Sequence, residues 1–236
     1  PFSHFEGSMV HIARGTLDRA ESTLREGTIV QDRQAHQKQR YPAKGLHWLL
    51  GLVRLASGDT REALVEFERE ISSGTWQLYG REFAMNAYDG AGFAHLDANE
   101  PGAAVEAFKK ALELFPEHAR SLVGLGAALK AAGDTPGADA AFNRATAAIE
   151  ALRRGGRASE AMLAGAMLAA VCDDGDRVVD SLNALRTMPI TAAGTSATLM
   201  PWASTLRRDA EPGFRPTVTC TPESCRLPAW AWPWEP

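Results

Sequence analysis

Six histidines, His4, His11, His36, His47, His95 and His118, are the side chains of this sequence best suited to metal or proton chemistry. Two imidazoles share a helical face when they stand four residues apart, and no pair here does, so no metal site is expected. Asp173-Asp174-Gly175-Asp176 has the acids of a calcium loop but lacks the later ligands and the terminal Glu, and a capped turn is the expectation there. Gly124-Leu125-Gly126, within LVGLGAALK, has two glycines of a phosphate-cradling turn. The preceding strand, the third glycine and the βαβ context are missing, which argues against a nucleotide. No Ser, Thr or Cys lies in a nucleophile elbow, and no carboxylate pair stands out from the solvated charges. The chain is therefore expected not to be an enzyme and to need no cofactor.

Cys172, Cys220 and Cys225 are an odd number, which a closed disulfide framework cannot use up. Cys172 sits in an apolar stretch and is expected to be core. Cys220 and Cys225 flank Thr-Pro-Glu-Ser, a spacing that suits a bridge in an oxidising compartment and equally suits chance proximity. The net charge of -4 leaves no basic field for a phosphate backbone, so nucleic acid is not an expected partner. No run of about 18 apolar residues occurs, so no membrane span is expected. The opening PFSHFEGSM has no initiator Met and no signal-peptide pattern, and reads as the start of a fragment of something longer.

With little direct chemistry on offer, the elements become the message. Between Tyr88 and Pro116, Tyr88, Ala91 and Gly92 mark one helix, Asn99-Glu100-Pro101-Gly102 breaks it, and Ala104, Phe108 and Ala111 mark a second. A step of 34 residues repeats the set: Gly92 becomes Gly126, Ala104 becomes Ala138, Phe108 becomes Phe142 and Ala111 becomes Ala145. Two short helices approach closely only where one offers a notch, so Gly92 and Ala104 are expected to touch, with Phe108 filling the groove beside them. A hairpin with so large an apolar face must stack on neighbours.

This period and residue set resemble the tetratricopeptide repeat. The resemblance implies an all-α fold, a right-handed superhelical solenoid of antiparallel helix hairpins. It extends over units at about 1–34, 44–77, 85–118 and 119–152, with a closing hairpin at 158–188. The first unit departs from the family at Gly7-Ser8, where Leu-Gly would stand. In the second, Leu50-Gly51, Leu55, Gly58-Asp59, Ala63 and Phe67 take the family's places, with Asp59 or Thr60 as the cap and Glu70 where a small residue is usual. The polar run IVQDRQAHQKQRY before it reads as a solvated helix end and loop. Trp76 and Tyr79 fall in the longer connection to the third unit, where they are expected to staple the interface. Thr135-Pro136 starts a helix in the fourth. Val178, Leu182 and Leu185 form the second stripe of the closing hairpin. A Pro- and Trp-rich segment, 189–236, follows, with a short helix near 201–208 and an extended end carrying Trp230, Trp232 and Trp234.

Pro201 to Asp209 with Phe214 is similar to segments that close repeat arrays in large bacterial signalling proteins, although Arg215-Pro216-Thr217 replaces the usual helical ending. In this family the first helices of successive hairpins face the groove. Laid on this sequence, the partner-binding candidates are Trp48, Leu52, Asn86, Asp89, Phe93, Arg120 and Lys130, with Leu55, Val123 and Ala127 beside them. Some members clamp a chaperone peptide's carboxylate with Lys, Asn and Arg; Trp48, Leu52 and Gly124 stand in three of those places here, which disfavours that role. The resemblance implies an interaction scaffold for a peptide or protein partner. The alternative is a regulatory or sensor segment of a bacterial kinase, nucleotide cyclase or transcription regulator that acts on its own effector domain. A cytoplasmic location is expected, or an extracytoplasmic one given an upstream membrane anchor.

Overall fold

A computed structural model describes residues 2–35, 44–74 and 80–172. The described residues are all-α: helices α1 (Phe2–Ala13), α2 (Leu17–Ala35), α3 (Leu46–Ala56), α4 (Thr60–Ser72), α5 (Gly80–Asp97), α6 (Pro101–Leu114), α7 (Ala119–Ala131), α8 (Thr135–Arg154) and α9 (Ala158–Val171). They fall into two compact units, Pro1–Pro116 and Glu117–Pro236. In the first, α1 pairs with α2, α3 with α4 and α5 with α6. Each second helix packs on the next first helix, and α3 packs directly on both α1 and α5. In the second, α7 pairs with α8, and α9 packs against both.

The turns follow from the sequence. Gly15, Gly58, Gly133 and Gly156 each take a left-handed φ just past a helix, and Asn99, at φ 59, does the same after α5. Pro101 and Pro136 sit in the first turns of α6 and α8, where their missing N–H groups are not needed. The Asp134 side chain accepts from the Gly137 N–H at 3.0 Å. His118 caps α7 through Nδ1, which faces the Ser121 N–H at 3.4 Å.

The expected notches are present, and each receives a phenyl ring. A Cβ on Gly92 would lie 2.6 Å from the Phe108 ring, and one on Gly126 would lie 2.3 Å from Phe142. Gly51 and Gly90 both face the Phe67 ring, at 2.6 and 2.7 Å by the same construction. In α1 the notch falls to Ser8, which is fully buried with its hydroxyl donating to the Phe5 carbonyl. Phe67, Phe108 and Leu24 are among the largest side chains buried completely, one from the second helix of each of the first three hairpins.

Three expectations change. Cys172 is exposed because α9 ends at Val171, which puts the thiol just past the helix instead of in its packed face. Asp59 occupies the cap position of α4 but makes no side-chain cap bond, and Thr60 donates to Asp97 at the end of α5 instead. The run from Ile29 is not all solvated: α2 continues to Ala35, and Gln31 is 1% exposed. The Trp76 and Tyr79 staple, the Asp173–Asp176 turn, the stripe from Val178 to Leu185, the helix near 201–208, Cys220, Cys225 and the tryptophans from Trp230 to Trp234 lie outside the described residues.

Candidate functional site

The groove candidates divide by burial. Trp48 is 3% exposed and meets Phe83 of α5 at 6.1 Å between ring centroids. Phe93 is 2% exposed and packs edge-on against Phe108 at 4.9 Å. Leu52, Leu55, Asp89 and Val123 are buried as well. Packing of α3 on α5 brings the helix carrying Trp48 and Leu52 to the helix carrying Asn86, Asp89 and Phe93. These buried side chains shape the first-helix face from inside. Surface remains at Asn86, half-buried on α5, and, in the second unit, at half-buried Arg120 and Ala127 and exposed Lys130 on α7. Lys130 Nζ donates to the Val171 carbonyl at 3.1 Å, a cation on the last turn of α9, where the helix dipole favours one.

A second arrangement, which the sequence reading missed, lies where α2, α3 and α4 meet. The first N–H groups of any helix have no partner within it. Gly45, the cap residue of α3, has no side chain to offer them, so neighbouring helices supply the acceptors. Glu70 of α4, 2% exposed, accepts from the Gly45 N–H at 3.1 Å and the Trp48 N–H at 3.3 Å. Gln31 of α2 accepts from the Leu46 N–H at 3.0 Å through Oε1 and donates to Glu70 through Nε2 at 2.8 Å. A carboxylate at a helix N-terminus also gains from the dipole. Gly45 is fixed twice over: its φ is 82, and a Cβ there would lie 2.3 Å from the Phe83 ring. Just past the same end of α4, Lys44 Nζ donates to the Ser73 and Gly74 carbonyls at 2.8 and 3.1 Å and to the Ser73 hydroxyl. Burial pulls the Lys44 ammonium below its ordinary pKa, against the pull of Glu70.

His47, the second residue of α3, is 1% exposed and completes the cluster. Its Nδ1 lies 2.6 Å from a Glu66 carboxylate oxygen on α4, and its Nε2 lies 2.9 Å from Asp32 on α2. Arg54 Nη1 stands 3.4 Å from Glu66, with Arg69 at 3.5 Å. Burial alone would lower the His47 pKa, but the hydrogen bonds to Glu66 and Asp32 and their charges outweigh it, and the net shift is upward. Burial would likewise raise Glu66, but the bond to His47, its charge and then Arg69 and Arg54 bring it below the usual carboxylate value. Arg54 also reaches Glu21 of α2 at 3.9 Å. The signal for this cluster was present in the sequence. Ala63, Glu66, Phe67 and Glu70 share one helical stripe, as do Leu24, Thr28 and Gln31, so polar residues stand at core positions.

Among the described residues, no group of three or more His, Cys, Asp or Glu could hold a metal ion, and no helix is long and apolar enough to cross a membrane. Comparison with known proteins follows the hairpins. Residues 95–151 match the family model for the tetratricopeptide repeat. No curated protein matches the sequence. Among solved structures, the chain is similar to the crystal structure of MamA, with 15% identity, TM-score 0.48 and coverage of 74% of this chain and 93% of that one. It is also similar to a tetratricopeptide repeat protein from Parabacteroides merdae ATCC 43184, with 19% identity, TM-score 0.47 and coverage of 77% and 64%. The family match spans the end of α5, α6, α7 and most of α8, and it includes Phe108 and the whole Gly126–Phe142 seat. Residues 95–151 of this chain thus carry the tetratricopeptide repeat.

Proposed function

We propose that the chain is a protein–protein interaction scaffold whose first-helix faces take a peptide or protein segment. The observation that carries the reading is the family match over residues 95–151, because repeats of this family are generally non-enzymatic scaffolds. The seat-and-ring packing supports it, since it uses the second helices and the inner sides of the first to hold the hairpins within each unit together. The polar surface left on the first helices suits side-chain recognition: Asn86 in the first unit, Arg120 and Lys130 in the second. Binding energy concentrates on half-buried Arg and aromatic anchors, whereas rim charges act more on association rate and salt dependence.

The test is affinity capture with the full chain, identification of the partner, and calorimetric titration of that purified partner. Arg120→Ala or Asn86→Ala is expected to weaken binding by on the order of 2 kcal/mol, about thirtyfold, with helicity unchanged. Lys130→Ala is expected to do much less. A partner whose affinity survives all three substitutions binds elsewhere, and the first-helix reading then fails.

A further inference from the structure

We propose that His47 is a proton-operated latch, which ties α2 and α4 to α3 while its imidazole is charged and lets α2 go when the charge is lost. The argument starts from donor counting. A neutral imidazole has one N–H and one lone pair, whereas an ionised carboxylate only accepts. Here both ring nitrogens face carboxylates from different helices, Glu66 at 2.6 Å and Asp32 at 2.9 Å. Only the doubly protonated ring can donate to both. When one proton leaves, a nitrogen lone pair is set against a carboxylate oxygen, and one of the two bonds turns repulsive.

The asymmetry of the partners says which bond gives way. The Glu66 side chain is 3% exposed and held by Arg54 and Arg69, so it keeps the remaining N–H. The Asp32 side chain is 61% exposed and can turn to water at little cost. Asp32 lies in the last turn of α2, so that end of the helix is the part released. Gln31 beside it still bonds Leu46 and Glu70, which limits the release to the end of α2.

The charged and titratable surroundings of His47 are set by each helix packed against α3. From α2 come Asp32, and Glu21 by way of Arg54. From α4 come Glu66, Arg69 and Glu70, the last on the backbone of Gly45 and Trp48. On α1, His4 lies near Gly27 of α2, where an added Cβ would come within 2.9 Å of His4 and 3.2 Å of Leu46. From α5 comes the Phe83 ring, while its buried acid is Asp89. The sign follows from the raised pKa of His47: the latch is fully closed below the ordinary imidazole value of 6.5 and opens as pH rises through the folded value.

The test is an NMR titration of the histidine ring nitrogens in the full chain, wild type against Asp32→Asn, with amide exchange followed in the same samples. The His47 midpoint is expected above 6.5 in the wild type and lower in Asp32→Asn. Protection factors at the end of α2, corrected for intrinsic exchange, are expected to fall through the wild-type midpoint while those of α3 hold. Because Asp32 is largely exposed, Asp32→Asn is expected to stay folded. A wild-type midpoint at or below 6.5, a midpoint that Asp32→Asn does not move, or an α2 end whose protection ignores the His47 titration would each overturn the proposal.

Discussion

At the scale of single residues, burial separates side chains that hold the molecule together from those that can meet a partner. Trp48 shows the distinction: the helical spacing puts it on the groove-facing helix, yet it is 3% exposed and seated against Phe83. Trp48→Ala is expected to cost about 3–5 kcal/mol of stability, since truncating a buried aromatic leaves a cavity as well as losing apolar contact. Urea unfolding followed by circular dichroism measures it; a loss under about 1 kcal/mol, the range of ordinary surface changes, would mean the side chain is not core. Sequence reading ranked Trp48 by its type and its helix. Which side of the helix is covered depends on the neighbouring hairpin, and Phe83, the residue that covers Trp48, lies on another helix. Glu66 and Gln31 escaped for the opposite reason, and Glu70 stood out only as a departure from the family's small residue: polar residues are expected at the surface, and the acceptors demanded by the start of α3 appear only once α2 and α4 are brought to it.

At the scale of helices, the legible part was large. The glycine seats at Gly92 and Gly126, the break at Asn99 and the Pro start of α8 are local signals, written within a single hairpin. The Gly126 seat gives a direct test. Gly126→Leu must push into the Phe142 ring, because even a Cβ there would lie 2.3 Å from it. Overpacking of this kind is expected to cost about 1–3 kcal/mol, read as a lower Tm, whereas Gly102→Ala, where a Cβ meets nothing within 4 Å, serves as the neutral control. Equal melting points for Gly126→Leu and wild type would show that α7 and α8 do not meet at that seat. What local signals could not give was the exposure of Cys172: a turn was expected at Asp173–Asp176, but that α9 ends at Val171 and leaves the thiol outside the packed face depends on the neighbouring helices.

Across the whole molecule, stability is expected to respond unevenly to pH. The first unit buries His47, Glu66, Glu70 and Asp89, whereas the buried polar side chain among the described residues of the second is Ser121. Glu66 is depressed from 4.5, so its contribution is present above that value and lost as pH falls through the folded pKa; His47 sets the opposite, alkaline limit. Residue-resolved hydrogen exchange is expected to show protection in α3 and α4 falling at acid pH while α7 and α8 stay level. A uniform decline in both units would contradict this. The Phe67 ring adds a different kind of boundary. It seats on Gly51 of its own hairpin and on Gly90 of the next, so a cut in the connection between α4 and α5 parts the ring from one of its two seats. For anyone recombining this chain with another array, the transplantable module is thus not the hairpin between two loops: Phe67 and Gly90 have to travel together, and the clean junction lies beyond the glycine.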